Sequence, residues 1–241
     1  MVNVPDFDRR AADYAHHAQV QQQAAAWLAE WLPARLDEPA LELGAGTGFF
    51  TRLAMAAARQ LRATDVSQRM VEAGRQCVPQ ADWAVAEASD PPLAAEPYRT
   101  ILNCSLVQWL PDPAQTFRRW HQISSPGTLL LGGWFVRGTM AGLLKLCPEF
   151  SPFRWRSSEE WTSLLSAAGW RVERSAEKTF TMVHPSSARM LRAIHDIGAT
   201  TRGRLGAARL RATLRAYDRN HLEAGRLVTP FVFLRVSATR L

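Results

Sequence analysis

The sequence has 241 residues, 47% of them hydrophobic, and is therefore long enough to bury one large core. Its three cysteines are odd in number and widely spaced, which excludes a disulfide framework or a tetrahedral zinc site, and we expect no metal. The formal net charge of +7 comes almost entirely from arginine and indicates either a surface for an acidic partner or a compositional bias. Because the sequence has no block of consecutive basic residues that resembles a nucleic-acid tail, we expect no nucleic acid as a partner.

The first half of the chain predicts alternating helices and strands. Between Phe7 and Trp31, small and apolar residues recur at three- and four-residue spacing, which predicts one or two amphipathic helices that end before Pro33. After that segment we predict strands at 40–43, 60–64, 83–86, 100–104 and 128–135, and helices at 49–59, 67–77 and 113–123.

The second half continues with a helix at 158–168 and a strand near 170–173 that extends towards 183. Helices at 186–197 and 205–220 then precede a final strand at 228–236. Strands that alternate with helices imply a parallel sheet covered on both faces. We therefore predict a doubly wound α/β fold with a mostly parallel seven-stranded sheet, N-terminal helices and a helical cap before the last strand. The alternative for residues 186–220 is an ordinary helical decoration of the sheet.

Two stretches bear on membranes and export. Residues 1–10 contain four charged side chains and no apolar run, which is unlike a secretory signal. The longest uncharged stretch, residues 122–136, is too short to span a bilayer and contains Pro126. We expect a cytoplasmic monomer that binds no membrane.

A glycine-rich turn follows the first predicted strand. In Leu41-Glu42-Leu43-Gly44-Ala45-Gly46-Thr47-Gly48, three alternating glycines join the strand to a helix. Glycine lets the chain turn tightly and lets a ligand approach the backbone, here at the carboxyl end of a strand where such sheets bind cofactors. The sequence therefore predicts a binding loop at residues 44–48.

Acidic residues accompany this turn. Asp65 lies 21 residues beyond Gly44, at the end of the next strand, and is placed to accept both hydroxyls of a ribose. The glycine spacing differs from the pattern that accommodates a pyrophosphate, which favours a nucleoside without phosphates over NAD. Glu42, at its strand end, can organise the loop and hold an ammonium group through water; the alternative is a solvated strand end.

These motifs resemble those of the class I S-adenosylmethionine-dependent methyltransferases. Residues 42–48, ELGAGTG, and residues 63–67, ATDVS, are similar to the first two motifs of that family. The resemblance implies that Glu87 contacts the adenine amine and that S-adenosylmethionine is the cofactor, with S-adenosylhomocysteine as product. The cofactor-binding residues that we expect are Tyr14, His17, Glu42, Gly44, Ala45, Gly46, Gly48, Asp65, Val66, Glu87, Asn103 and Cys104.

A closer resemblance extends over most of the chain. Residues 7–18, the run 107–110, the run 197–201 (Ile-Gly-Ala-Thr-Thr) and residues 225–226 are similar to the malonyl-acyl carrier protein O-methyltransferases of biotin synthesis. This resemblance implies that Tyr14 and His17 cover the cofactor and that Gln108 and Trp109 border the methyl acceptor; Trp109 is alternatively a core residue. We expect one methyltransferase domain, residues 1–241, with an N-terminal helical lid (1–36), a cofactor-binding core (37–136) and a substrate side (137–241) that includes the helical cap and the final strand.

The sequence also departs from that family. The family usually has an asparagine five positions before the tryptophan of the Gln-Trp pair, whereas Asn103 lies six positions before Trp109 and Cys104 occupies the expected place. The segment after Gly138 and Thr139 is also shorter than usual. These differences concern the acceptor more than the cofactor.

A malonyl acceptor implies further residues and partners. Its carboxylate is ionised at neutral pH, so no general base is required, but a cation is needed to orient it, and Arg137 and Arg154 are the candidates. Malonyl-acyl carrier protein or malonyl-CoA would be the partner. Other hypotheses remain: a methyltransferase for another small acid or for a quinone or aromatic acceptor, and a non-catalytic S-adenosylmethionine-binding partner protein.

Overall fold

The computed structural model describes residues 18–151, 154–196 and 206–241. Within them, eight strands form one sheet: β1 (Ala40–Leu43), β2 (Arg62–Asp65), β3 (Asp82–Val85), β4 (Tyr98–Cys104), β5 (Ser124–Phe135), β6 (Trp170–His184), β7 (Leu222–Glu223) and β8 (Arg226–Arg240). The helices are α1 (Gln19–Ala29), α2 (Phe49–Ala54), α3 (Gln68–Cys77), α4 (Pro113–Gln122), α5 (Ala141–Leu146), α6 (Ser158–Ala167), α7 (Ser187–Asp196) and α8 (Ala207–His221). Single 3₁₀ turns cover Val107–Trp109 and Pro148–Phe150.

The strand order confirms the predicted doubly wound sheet. The order is β3-β2-β1-β4-β5-β8-β6, with β7 paired to β8. Strands β1 to β5 pair in parallel, whereas β8 runs antiparallel to both β5 and β6. The order reverses direction between β1 and β4, and in open α/β sheets ligands bind at such a switch point, outside the carboxyl ends of the strands.

Several elements differ from the predicted ones. Strands β6 and β8 each have 15 residues, and β7 adds a short eighth strand to the seven that were predicted. The short helix α5 was not predicted either, because six residues give too little periodicity to recognise. Of the predicted N-terminal helices, α1 is confirmed, while residues 1–17 lie outside the described part of the chain.

The two faces of the sheet carry different helices because neighbouring residues of a strand point to opposite faces. On one face, Leu41, Ile101 and Leu130 belong to a core that also contains aromatic residues of α4 and α6: Phe117, Trp120 and Trp161. On the other face, Leu102 and Leu131 pack with residues of α1 and α2: Ala25, Leu28, Phe50 and Ala54. The side chains of Glu42 and Cys104 point to this second face as well.

Helix α1 is anchored at its carboxyl end by a residue of the sheet. The Arg235 guanidinium of β8 lies over the ring of Trp27, at 3.9 Å from its centroid, and over the ring of Trp31, at 4.1 Å. The same guanidinium donates to the backbone carbonyl of Trp27 and to Glu30 Oε2, the latter over 2.9 Å. Helix α1 has no basic residue in its own last turn, so Arg235 supplies the positive charge that the carbonyl end of a helix favours.

The predicted cap corresponds to α7 and α8. Met190 and Ile194 of α7 and Tyr217 of α8 are buried in one cluster with Val20 and Ala24 of α1. Whether the two helices also cover the ligand crevice stays a prediction. No helix of the described ranges is long and apolar enough to cross a membrane.

Candidate functional site

A cavity of about 400 Å³ lies beside the carboxyl ends of β1, β2 and β4. This volume falls within the usual range for small-molecule sites. The described lining residues come from α1, the glycine turn, the ends of β2 and β4 and the segments that follow β3 and β4: Gln21, Ala25, Glu42, Gly44, Ala45, Gly46, Thr47, Phe49, Phe50, Asp65, Val66, Met70, Ala86, Glu87, Ala88, Ser89, Cys104, Ser105, Leu106, Trp109, Leu110 and Pro111. The cavity thus occupies the switch point of the sheet.

The glycine turn forms one wall and needs glycine for two different reasons. At Gly44, φ is 67° and a Cβ would lie 2.7 Å from Leu106 Cδ1, so a side chain there would collide with the opposite wall. At Gly46, φ is 57° but nothing lies within 4 Å of a built Cβ. The protein itself therefore leaves the space at Gly46 open, which is what a ligand approaching the backbone requires.

Asp65 joins the glycine turn to the end of β2. Its Oδ2 accepts a hydrogen bond from the Gly46 amide over 2.9 Å, and its Oδ1 accepts one from the Ser67 amide, also over 2.9 Å. A carboxylate oxygen can accept more than one hydrogen bond, so these contacts are compatible with acceptance from a ribose. They also fix the orientation of the carboxylate before any ligand arrives.

Glu42 is a buried acid that faces the same cavity. Its side chain is only 1% exposed, and its Oε2 has no hydrogen-bond partner among the described residues. Burial raises the pKa of Glu42 to about 7; the Thr51 hydroxyl lowers that pKa, and the Asp65 carboxylate raises it. A buried carboxylate with an unused acceptor favours a cationic donor.

The opposite end of the cavity is more open. Val66, after β2, is 52% exposed, and Glu87, after β3, is exposed as well. Both line the cavity, together with Trp109 from the 3₁₀ turn after β4. An apolar side chain and an acceptor at this end suit an adenine, which has a flat face and an amine.

Two neighbouring residues that the sequence assigned to the cofactor lie on opposite faces of β4. Cys104 lines the cavity, and burial raises the pKa of its thiol to about 12. Asn103 is completely buried, has its amide against Gly132, and does not belong to the described lining. The expected cofactor contact of Asn103 is therefore not seen in this cavity, because strand alternation turns its side chain away.

Gln108 also lies away from the described lining. It is 7% exposed, and its Nε2 donates a hydrogen bond to the Ser105 carbonyl over 2.8 Å. Its neighbour Trp109 does line the cavity. The structure therefore separates the two residues of the Gln-Trp pair, which the sequence had placed together beside the acceptor.

The two candidate arginines lie beside the amino end of α6. Arg137 donates to Glu160 Oε2 over 2.6 Å, and Arg154 pairs with the other oxygen of Glu160. Both guanidiniums are exposed, and neither belongs to the described lining of the cavity. Glu160 also completes a capping box with Ser157, so one carboxylate holds both arginines and the helix end together.

The remaining expectations lie outside the described residues. Tyr14, His17 and the run 197–201 belong to this part of the chain. Gln21 and Ala25 of α1, to which no sequence motif assigns a site role, form part of the cavity wall. Their four-residue spacing is the signal for a shared helix face. Among the described residues, no group of three or more His, Cys, Asp or Glu side chains could hold a metal ion.

The charge of the cavity contrasts with that of the chain. Its described lining contains three acids, Glu42, Asp65 and Glu87, and no arginine, lysine or histidine. The whole chain carries a formal net charge of +7. A cavity of this composition favours a cation, and the open space at Gly46 with the unpartnered Glu42 oxygen fits a positively charged nucleoside amino acid.

Comparison with known proteins agrees with this geometry. The family described as "Methyltransferase domain" matches residues 41–132. The biotin biosynthesis bifunctional protein BioHC of Cellvibrio japonicus is 26% identical over 231 residues, which cover 91% of this chain and 46% of that protein. The malonyl-[acyl-carrier protein] O-methyltransferase of Serratia marcescens is 24% identical over 87% of this chain and 84% of its own length. That of Bacteroides fragilis is 30% identical over 67% of this chain and 34% of its own length.

Solved structures share the fold. The YcgJ protein from Bacillus subtilis superposes with a TM-score of 0.67 at 12% identity, over 90% of this chain and 98% of that one. A SAM-dependent methyltransferase from Thermotoga maritima, described as a possible histamine N-methyltransferase, gives 0.60 at 19% identity over 98% of both chains. These identities establish a common fold and no more. The chain spans about half of the Cellvibrio relative, or less than half of the Bacteroides one.

Proposed function

We propose that this chain, which has the fold and the methyltransferase domain of the class I S-adenosylmethionine-dependent methyltransferases, methylates the free carboxylate of a malonyl thioester. The observation that carries the cofactor half of the proposal is the acidic cavity in a basic chain. Relatives named malonyl-[acyl-carrier protein] O-methyltransferase support the acceptor half, at identities of 24% and 30%. The methyl ester would serve biotin synthesis, because the bifunctional relative is named a biotin biosynthesis protein.

Different residues around the cavity would bind different parts of the cofactor. S-adenosylmethionine, when bound, supplies a methyl group on a positively charged sulfur. Asp65 would accept the ribose hydroxyls, Glu42 the ammonium group, and Glu87 the adenine amine. The open backbone at Gly46 would admit the ligand, while Leu106 and Trp109 would exclude water from it. Methyl transfer is a displacement in which opposite charges are lost, so alignment and desolvation are the main contributions of the protein.

The acceptor carboxylate needs orientation and no general base, because it is ionised at neutral pH. Arg137 and Arg154 remain our candidates for its orientation, since bidentate contact with a carboxylate is the geometry that guanidinium favours. Both already contact Glu160. A malonyl carboxylate would therefore have to compete with Glu160 or bridge the same two arginines.

The carrier is the second part of the acceptor question. The net charge of +7 suits an acidic acyl carrier protein, and such docking weakens as salt rises. Malonyl-CoA would depend less on a protein surface. Comparison of the two thioesters at low and high salt therefore identifies the carrier.

The test is methyl ester formation with labelled S-adenosylmethionine on malonyl-acyl carrier protein and on malonyl-CoA. Acetyl-acyl carrier protein, which has no free carboxylate, is the matched control. We expect label on the malonyl thioesters and none on the acetyl one. Arg154→Ala and Arg137→Ala should lower turnover while cofactor binding stays within about twofold of wild type. Cofactor binding without label on either malonyl thioester would refute the proposed acceptor.

Two observations favour a different acceptor. No cation belongs to the described lining, and the Asn103–Cys104 pair departs from the family pattern. Another small acid or a quinone or aromatic acceptor is the resulting alternative, as is a non-catalytic cofactor-binding partner. Transfer of label to such acceptors, or tight cofactor binding with no transfer at all, would distinguish these two.

A further inference from the structure

The wall of the cavity contains a residue with an unfavourable backbone conformation. Ser105 follows β4 directly and has a φ of 59°, in the left-handed region that non-glycine residues rarely adopt. Such a conformation costs free energy and persists only where the surroundings impose it. Ser105 lines the cavity, as do its neighbours Cys104 and Leu106.

The Ser105 hydroxyl contacts the Cys104 thiol over 3.8 Å, and two further hydrogen bonds hold the Ser105 backbone in place. Its amide donates to the Gly133 carbonyl of the adjacent strand β5 over 2.7 Å. Its own carbonyl accepts from Gln108 Nε2 over 2.8 Å. The first bond continues the sheet, and the second spans the turn that leads the chain away from it.

The turn at Ser105 determines where the next residues stand. Leu106 Cδ1 lies 2.7 Å from the position that a Cβ on Gly44 would occupy, so the turn packs directly on the glycine loop. Trp109, whose amide donates to the Leu106 carbonyl over 2.9 Å, lines the cavity farther along. A shift of Ser105 would therefore move both Leu106 and Trp109 relative to the glycine loop.

We propose that Gln108 is a positioning residue for the cofactor, which acts by holding Ser105 in its left-handed conformation and thereby fixes the Leu106–Trp109 wall. This role replaces the contact with the methyl acceptor that the sequence resemblance implies for Gln108. It rests on the proposed cofactor of this cavity but not on the identity of the acceptor. The burial of Gln108, which is 7% exposed, agrees with a side chain that serves the protein backbone.

The test is a double-mutant cycle between Gln108→Met and Ser105→Gly. Methionine keeps the length of the side chain and removes the donor, while glycine adopts a positive φ without strain. We expect Gln108→Met alone to weaken S-adenosylhomocysteine binding about tenfold, because the part-buried Ser105 carbonyl loses its donor and the turn relaxes. In the Ser105→Gly background the same substitution should cost less than about threefold, because the strain that Gln108 holds is gone. Calorimetry at a temperature where circular dichroism shows folded protein measures both.

Equal losses of affinity in the two backgrounds would overturn the proposal. A raised KM for the malonyl thioester with unchanged cofactor affinity would also overturn it, and would return Gln108 to the acceptor. If Gln108→Met does not fold, Gln108→Asn is used, because its shorter side chain also loses the contact. If wild type binds no cofactor, the proposed function fails. The double-mutant cycle is then measured on the free energy of unfolding. Additive effects of Gln108→Met and Ser105→Gly on that free energy would refute the Gln108–Ser105 contact itself.

Discussion

Replacement of Glu42 by glutamine should stabilise the cofactor-free protein at alkaline pH and weaken its binding of S-adenosylmethionine. The pKa of Glu42 is raised from 4.5 to about 7, mainly by burial. Between these two values the folded protein holds a proton that the unfolded chain releases, so stability falls as pH rises and is lowest above pH 7. The raised pKa of Glu42 therefore lowers the free energy of unfolding by about 3 kcal/mol above pH 7 and by about 1 kcal/mol at pH 5.

Urea denaturation at pH 5 and pH 8.5 measures this effect. We expect the stability gained by Glu42→Gln to rise from about 1 to about 3 kcal/mol between these two pH values. Glu87→Gln is the matched control, because this acid lines the same cavity but is exposed. An equal gain from Glu42→Gln at both pH values would show that Glu42 does not titrate in this range, and the reasoning would be refuted.

The same substitution gives a second readout through the cofactor. An ionised Glu42 favours the ammonium group, so the affinity of the wild type should decrease as pH falls through 7. Glu42→Gln should bind more weakly at pH 8.5 and show little change with pH. A wild-type affinity that is constant between pH 6 and 8.5 would contradict the role of Glu42 as the partner of the ammonium.

The remaining predictions concern the cavity and its support. Gly46→Val should reduce cofactor affinity at least about tenfold, because the new side chain strains the turn at its φ of 57° and enters the open space beside it; unchanged affinity in a calorimetric titration would exclude a ligand there. Arg235→Met should lower the free energy of unfolding in urea by about 2 kcal/mol, since it removes stacking on two indoles and two hydrogen bonds, and a loss below about 0.5 kcal/mol would refute the anchoring of α1. The Cys104 thiol, with a pKa of about 12, should alkylate far more slowly at pH 8 than the exposed Cys77, as mass spectrometry would show; similar rates would contradict the raised pKa of Cys104.

The sequence predicts which residues meet at the glycine turn because these signals are local. The glycines of residues 44–48 follow a strand directly, and Asp65 ends the next one, so their meeting follows from the topology of a parallel sheet. Glu42, Asp65 and Glu87 all line one cavity in the structure. Their assigned contacts with the cofactor stay predictions until a ligand is bound.

The other site assignments depend on features that a sequence does not display. The pairing register of β4 decides which face of the sheet the side chains of Asn103 and Cys104 occupy. A shift of that register by one residue would exchange their faces. The contact of Gln108 with the Ser105 carbonyl occurs at a left-handed residue, which no local pattern indicates. The pairing of Arg137 with Glu160 joins residues that are 23 positions apart, which no local pattern indicates.

The length of the outer strand β6 is also only weakly indicated by its own sequence. Most residues of β6 are exposed or half-buried, so the apolar alternation that marks a strand is weak over its 15 residues. Its length comes from pairing with β8 along the whole strand. Such long-range pairing can extend a strand beyond the segment whose own sequence predicts it.

Whether the acidic cavity beside the glycine turn binds S-adenosylmethionine is measured by calorimetric titration of the folded protein with S-adenosylmethionine and S-adenosylhomocysteine, alongside Asp65→Ala. We expect saturable binding of both to wild type and at least about tenfold weaker binding to the variant, in which the ribose contact is lost. Heats no larger than dilution for wild type, or equal affinities of wild type and Asp65→Ala, would contradict this expectation.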